Sequence, residues 1–323
     1  MTPEKIGSAI RAYEPADATS WDDLVERSVN GTIVHTRKFL AYHGDRFLDR
    51  SLLVTDSRGR AVGVFPAAED PADRAVVASH PGLTYGGLVH DGSLRGAAAI
   101  RALGQIAEEY RALGYQRLRY QATPYIYWSA PAADELYALF RLGAVRSGCD
   151  LAAVIDVAAR GRERADRRRA RRQADAAGVR VEEGWQNVAA FWRILEMNLA
   201  QRHGASPTHS LAEIECLHDR FPREIILVAA KVGAALVGGS VYFSAGRALH
   251  QQYTAASAEG RAVHGTDLVI DWSIALARDR GYRYITFGTS TFGGGEQLNE
   301  SQYEFKVSFG GGGVTHDQYE LSL

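Results

Sequence analysis

The chain has 323 residues, a formal net charge of -1, 46% hydrophobic and 23% charged residues, a soluble globular profile with length for two cores of ordinary size. The near-neutral balance disfavours a globally basic nucleic-acid binder, and the cysteines, Cys149 and Cys216, supply neither a disulfide framework nor a zinc set. The opening MTPEKIGSAIRAYEPADATSWDDL has no apolar run of signal-peptide kind, and no segment reaches the about 18 apolar residues of a membrane span, so a cytoplasmic protein without such a span is expected.

RFLDRSLLVTDSRGRAVGVFPAA, near residue 50, reads as a strand, a turn at Gly59 and a second strand, the pattern of a β-hairpin. A strand then ends near Tyr85, and a short loop carries Gly96. The stripe Ile100, Leu103, Ile106 and Tyr110 predicts an amphipathic helix over 98–112, stopped by Gly114 and Tyr115. QRLRYQ alternates as a strand. From Arg160 to Arg172 eight arginines outnumber Glu163 and Asp166; their composition predicts a solvated basic helix that stops at Gly178, followed by the strand VRVEE. RFPREIILVAAKVGAALVGGSVYF repeats the hairpin about Gly233. A strand end near Tyr253, a loop with Gly265 and a helix over 266–279 follow, the helix with Leu268, Ile270, Trp272, Ala275 and Leu276 as its apolar surface. The stop at Gly281 and Tyr282 leads into the strand RYITFG. Two glycine clusters, FGTSTFGGG and FGGGG, let the chain loop out and return to a final strand HDQYELSL, with EFKVSFGG between them.

Gly233 follows Gly59 by 174 residues, and Gly281 follows Gly114 by 167. Such a steady offset over two hairpins and two helix–strand units marks an internal duplication. Each unit is an antiparallel hairpin, a helix and a strand, so an α/β chain with mixed α+β sheets is expected. The boundaries follow: an N-terminal domain over 1–158, a basic helical connector over 159–180 and a C-terminal domain over 181–323.

The familiar catalytic signatures are missing. GSVYFSAG is no nucleophile elbow, no phosphate-binding GxxxxGK[ST] occurs, and the histidines lack metal-motif spacing. The glycines at 293–295 and 310–313 open no βαβ unit, which argues against a dinucleotide site. His250, Tyr253, His264 and Asp267 gather where the second hairpin runs into its helix, and any one of them can accept or relay a proton. Gly265 and Thr266, at the helix start, suit a phosphate or carbonyl oxygen. Thr289, Ser290, Asn299, Glu304 and Lys306 follow the last strand of the repeat. In the first half Tyr85, Tyr120 and Gln121 suit an acceptor side. Each residue has a plain structural reading beside the chemical one: a core aromatic, a first-turn carboxylate, or a lysine snorkelling from an aromatic edge. The Arg160–Arg172 run is either a wet face or an anion platform for tRNA or a carrier protein, without the exposed aromatics that base recognition needs.

Several stretches together resemble the FemABX-like acyltransferases within the GNAT superfamily. They are the basic helix with AGVRVEEG, RHGASP at 202–207, ILVAAKVGAALVGGSVYF at 226–243, HQQYTAAS at 250–257, ARDRGYRYITFGTST at 277–291 and LNESQYEFKVSFGG at 298–311. The first half agrees more loosely, through WDDLVERSVNGTIVHTRKFL at 21–40 and PGLTYGGLV at 81–89. The resemblance implies a tandem duplicated GNAT-like fold and transfer of an acyl group to the amine of a small-molecule, sugar or peptide-like acceptor. It implies acyl-CoA as co-substrate and no tightly bound cofactor. His264, Gly265, Thr266, Thr289 and Ser290 then fall on the cofactor side, and Asn299 and Glu304 on the substrate side. Related proteins keep a lysine near the transfer site in the FK..FG stretch, which assigns Lys306 to a carbonyl oxygen or a substrate phosphate.

Two features bear on the donor. Better-known members take amino acids from aminoacyl-tRNA, but this chain lacks the long coiled-coil insertion that some of them carry. The turn GRAVHGTD departs from the acetyltransferase phosphate-loop pattern, so CoA rests on the resemblance and not on a motif. The competing reading is a non-catalytic GNAT-like module whose arginine-rich helix docks RNA or a carrier protein. No DNA partner is expected.

Overall fold

The computed structural model describes residues 9–323, apart from the side chains of Arg202 and His203. The start of the segment read for a signal sequence, and those two side chains of RHGASP, therefore lie outside the described residues. The chain forms two compact units. The first comprises the chain up to Asp150 with 291–297 and 315–323; the second comprises 151–290 with 298–314.

In chain order the first unit contains β1 (Ala9–Ala12), α1 (Ala18–Arg27), α2 (Arg37–Leu40), β2 (Leu52–Thr55), β3 (Ala61–Phe65), β4 (Ala68–Asp70) and β5 (Asp73–Ala78). It continues with β6 (Val89–His90), α3 (Ala97–Ala112), β7 (Arg117–Gln121), α4 (Asp134–Arg141) and the start of β8 (Val145–Asp156). β1, β2, β3 and β6 form an antiparallel sheet in that order. The expected hairpin is β2–β3, and Gly59 turns it with φ 76°, a left-handed conformation that costs glycine little. Both faces of this sheet are covered, so β2 is buried along its whole length. Leu52 and Val54 face a core with Leu103, Ile106 and Tyr110 of α3, whereas Leu53 and Val64 pack against Trp21 and Leu24 of α1. β4 pairs with β5, β5 runs parallel to β7, and β7 pairs antiparallel with residues 318–322 of the chain's last strand.

The second unit holds the rest of β8, then α5 (Ala165–Ala176), β9 (Val179–Glu183), α6 (Val188–His203), α7 (Leu211–Arg220), β10 (Ile225–Val232), β11 (Ala235–Ala245) and β12 (Ala248–Ala256). It continues with α8 (Ala258–Ala262), α9 (Gly265–Asp279), β13 (Tyr284–Thr289) and α10 (Glu300–Val307), while the short β14 (Thr291–Phe292) and most of β16 (Gly312–Ser322) belong to the first unit and β15 (Gln297–Leu298) falls at the boundary. β9, β10, β11 and β12 are successive antiparallel neighbours, β12 and β13 are parallel, and β13 pairs antiparallel with β8. Both expected helices lie within one residue of their predicted starts. The buried side of α9 is Val269, Ile270, Ser273, Ile274 and Ala277, while Leu268, Trp272 and Leu276 are only partly buried and Ala275 is exposed.

That rotation has a cause in α5. Residues 159–180 lie inside the second unit, and α5 is not the solvated basic helix its composition suggests. Ala170 and Ala174 are buried, Arg167 pairs with Asp267 at 2.7 Å, and Arg171 pairs with Asp271. Both pairs link residues four apart on each helix, so α5 and α9 run in the same direction, joined by a two-rung ladder of charge. Arg171 also reaches Glu163 at 2.8 Å.

Candidate functional site

The second unit has a parting of strands at its centre. β12 and β13 pair over only three positions, Ala248–Tyr284, Leu249–Ile285 and His250–Thr286. Beyond them β12 stays with β11 to Ala256, whereas β13 keeps only its other neighbour, β8, which it pairs from Tyr284 and meets again after a register shift where Thr289 lies opposite Ala152. The β11–β12 register slips at the same level: Val241 faces Tyr253 and Tyr242 faces Gln251, leaving Gln252 as the extra residue of a bulge. Main-chain groups along the parted edges have no ladder partner across the gap, so a chain-like ligand can complete the wedge as an added strand. Behind it Gln251 donates to Ser240 Oγ and to the Tyr242 hydroxyl, each at 3.1 Å.

Lys306 closes the far end of β13. Its ammonium donates to Thr289 O at 2.7 Å, Ser290 Oγ at 3.0 Å and Gly288 O at 3.3 Å, and the residue is 9% exposed. Burial pushes this lysine down to about 8. EFKV lies on α10, not on a bare loop: Asn299 caps that helix by accepting from Gln302 N at 3.1 Å, and Asn299 N donates to Ser290 O at 2.8 Å. Phe305 and the fully buried Phe309 meet edge to face at 5.3 Å, fixing the direction of the lysine between them. Glu304 lies on the exposed side of α10, 3.9 Å from Arg164.

At the start of α9, His264 adopts φ 56°, uncommon for a residue with a side chain. Asp267 N and Leu268 N both return to His264 O, so the N–H groups of Gly265 and Thr266 sit at the open end of the first turn. Gly260 lets α8 approach β11: a Cβ there would stand 2.1 Å from Val237 O. The Asp267 carboxylate is engaged by Arg167, whose guanidinium also lies over the Phe305 ring at 5.1 Å. Burial raises this carboxyl above the ordinary range, against the pull of Arg167.

His250 occupies the last paired position before the strands part and is 7% exposed. Tyr253 is one residue past the bulge. Its hydroxyl lies 2.5 Å from His209 Nδ1, and Trp192 packs against its ring edge-on at 5.1 Å. His209 was not expected in the site. A lone histidine before a Ser-x-x-Glu helix start carries no periodic signal, because its partner lies 44 residues away on another element.

The first-unit candidates do not form one group. Tyr120 is fully buried and faces α3 and α4, where its hydroxyl accepts from Leu88 N at 2.8 Å and bonds the Glu135 carboxyl. Gln121, its neighbour in the strand, faces the other way. Tyr85 is buried, stacks on Tyr127 at 4.5 Å and shares a hydrogen bond with Thr32 Oγ1 at 3.3 Å. Burial raises the Tyr85 hydroxyl far above its ordinary value.

Residues 161–306 match the family described as the acetyltransferase (GNAT) domain, a span that begins beside the basic helix and ends at Lys306. A crystal structure of FemX superposes with a TM-score of 0.69 at 14% identity, covering 98% of this chain and 97% of that one. The chain has the FemX fold, a tandem of GNAT-like units. The C-terminal domain of a putative lysylphosphatidylglycerol synthetase from Agrobacterium fabrum gives 0.61 at 11% identity, over 95% of this chain and 93% of that one. A tandem GNAT protein from the clavulanic acid biosynthesis pathway gives 0.50 at 14%, over 98% of each chain. No curated protein sequence matches this one. In this GNAT-like setting the wedge, the α9 start and Lys306 all fall inside the matched span. Among the described residues, no helix is long and apolar enough to cross a membrane.

Proposed function

We propose that the protein is an N-acyltransferase that moves an acyl group from acyl-CoA to the amine of a small-molecule, sugar or peptide-like acceptor. The observation that carries this reading is the parting of β12 from β13 with Lys306 bound at the strand end. In the proposal the pantetheine arm lies along the free edge of β12, and the pyrophosphate meets the N–H groups of Gly265 and Thr266. The bulge at Gln252 directs a main-chain group toward the acyl carbonyl. Amide formation needs an amine brought in line, a proton removed from it, and the developing oxyanion stabilised. A substrate oxygen displacing the 3.3 Å contact to Gly288 O would receive the Lys306 charge. The likeness to a tandem GNAT protein whose structure is described by reference to AcCoA supports CoA as donor.

Intact-mass measurement on gently purified protein should reveal a bound CoA species. Incubation with an acyl-CoA should then release CoA only when an amine is present. Lys306→Ala should lower turnover about 10²–10³-fold, the usual cost of losing one oxyanion donor, with the circular dichroism spectrum unchanged. Because the charged form serves the oxyanion, wild-type turnover should fall as pH rises past about 8. Wild-type turnover in Lys306→Ala would remove that role. Release from charged tRNA and not from CoA would transfer the reading to an aminoacyl donor, and release from neither would leave a binding module.

A further inference from the structure

We propose that His209 is a positioning residue for Tyr253, and that the pair forms a two-step proton path leading away from the attacking amine. The proposal rests on the acyl-transfer reading and adds to it a residue which neither the sequence pattern nor the family match singles out.

The geometry is specific. The Tyr253 hydroxyl accepts from the main-chain N–H of His209 at 3.2 Å and lies 2.5 Å from Nδ1 of the same residue. An oxygen that accepts the N–H has its own hydrogen to give, and with Nδ1 at 2.5 Å as its receiver the imidazole carries its proton on Nε2; the side chains of Gln252 and Thr208 also neighbour the hydroxyl. The main chain at His209 is held by the helix start that follows. Ser210 Oγ accepts from Glu213 N at 3.2 Å, and the Glu213 carboxylate accepts from Ser210 N at 2.8 Å. Trp192 holds the tyrosine ring, and Phe243 lies 6.4 Å from the histidine ring. His209 itself is 5% exposed. Burial raises the Tyr253 hydroxyl above its ordinary value, and the Glu213 charge adds to this, so the group enters the reaction neutral.

Tyr253 stands on the part of β12 that has left β13, next to the bulge. When an amine attacks the acyl carbonyl there, its nitrogen becomes cationic and must lose one proton. That proton passes to the Tyr253 oxygen while the tyrosine's own hydrogen moves to His209 Nδ1. The C–N bond forms, the bond from the acyl carbon to its leaving atom breaks, and, with Nε2 buried away from solvent, the imidazolium returns its Nδ1 proton through the tyrosine oxygen to the departing atom. The tyrosine ends as it began.

Three variants and one spectrum test this. Tyr253→Phe should lower kcat about 10²-fold. His209→Asn keeps an acceptor near the Nδ1 position without its basicity, and should lower kcat about tenfold with KM unchanged. The double variant should be no slower than Tyr253→Phe alone, because the histidine acts only through the hydroxyl. In the wild-type protein, ¹⁵N NMR of the histidine ring should show Nδ1 unprotonated and hydrogen-bonded, with the hydrogen-bond signature lost in Tyr253→Phe. Penalties that multiply in the double variant, a proton resident on Nδ1, or wild-type kcat in His209→Asn would each overturn the proposal. Wild-type protein that transfers no acyl group removes the function and this role together. Transfer that survives His209→Asn unchanged removes this role alone.

Discussion

The two units use the same place in their repeats differently. In the second, β12 and β13 pair briefly and then open. In the first, β6 is two residues long and ladders only with β3 among the described strands, and a side chain fills the corresponding place. The Tyr120 hydroxyl takes the N–H of Leu88, bonds Glu135, and lies 2.7 Å from where a Cβ on Gly87 would be. At the repeat offset of 167 residues from Tyr120 stands Phe287, whose ring packs in the core and offers no hydroxyl to a parted strand. The hydroxyl that holds Leu88 and Glu135 in the first unit thus has no counterpart at the same offset in the second. The lesson is that duplication preserves the frame, while buried polar groups decide which copy keeps room for a ligand.

The largest effect should come from that plug. Glu135 is buried, and burial pushes its carboxyl up to about 8 from 4.5. In the fold it stays neutral where the unfolded chain would ionise, so its contribution is fully present below about 4.5 and is lost as pH rises to about 8. Glu135→Gln keeps an acceptor for Tyr120 and does not titrate. Thermal unfolding across this pH range should show the wild type losing several kcal/mol relative to the variant; parallel curves would refute the neutral plug.

In the second unit, Arg167→Met should cost about 3 kcal/mol by leaving Asp267 buried without its partner. Adding Asp267→Asn should recover part of that loss, as urea unfolding can measure; a strictly additive pair would show that the α5–α9 ladder does not couple them. Gly260→Ala should cost about 1–3 kcal/mol, since α8 must move off the Val237 carbonyl, and under the proposed acyl-CoA reading it should also weaken CoA binding in calorimetry. The smallest effect belongs to the exposed arginines. Replacing Arg162, Arg169 and Arg172 with Gln should change stability by no more than about 0.5 kcal/mol. A salt-dependent loss of tRNA binding in that variant would show that the face serves a polyanion, and an unchanged affinity would leave it a wetted surface.

Local chemistry made much of this legible. The hairpins about Gly59 and Gly233, the helix over 97–112 and the strand 179–183 follow from turn residues and periodicity that act within a few positions. Lys306 stands out in the sequence because two phenylalanines and flanking glycines are poor company for a solvated lysine. The environment of Asp267 was hidden, since a first-turn carboxylate looks alike whether it meets solvent, a ligand or Arg167. Tyr120 and Tyr85 look equally suited to a site, yet one is committed to the Glu135 plug and the other to a stack on Tyr127.

The sequence by itself determined the repeated hairpin–helix–strand frame, because each piece is stabilised by neighbours close along the chain. Only the tertiary structure decided that the strands part in one unit and are plugged in the other, that four of the eight arginines, Arg160, Arg164, Arg167 and Arg171, face acidic partners in and beside α5, and that His209 meets Tyr253. Those outcomes depend on pairs such as Arg167 and Asp267, 100 positions apart, whose meeting depends on the packing of whole elements and leaves no trace in either local pattern.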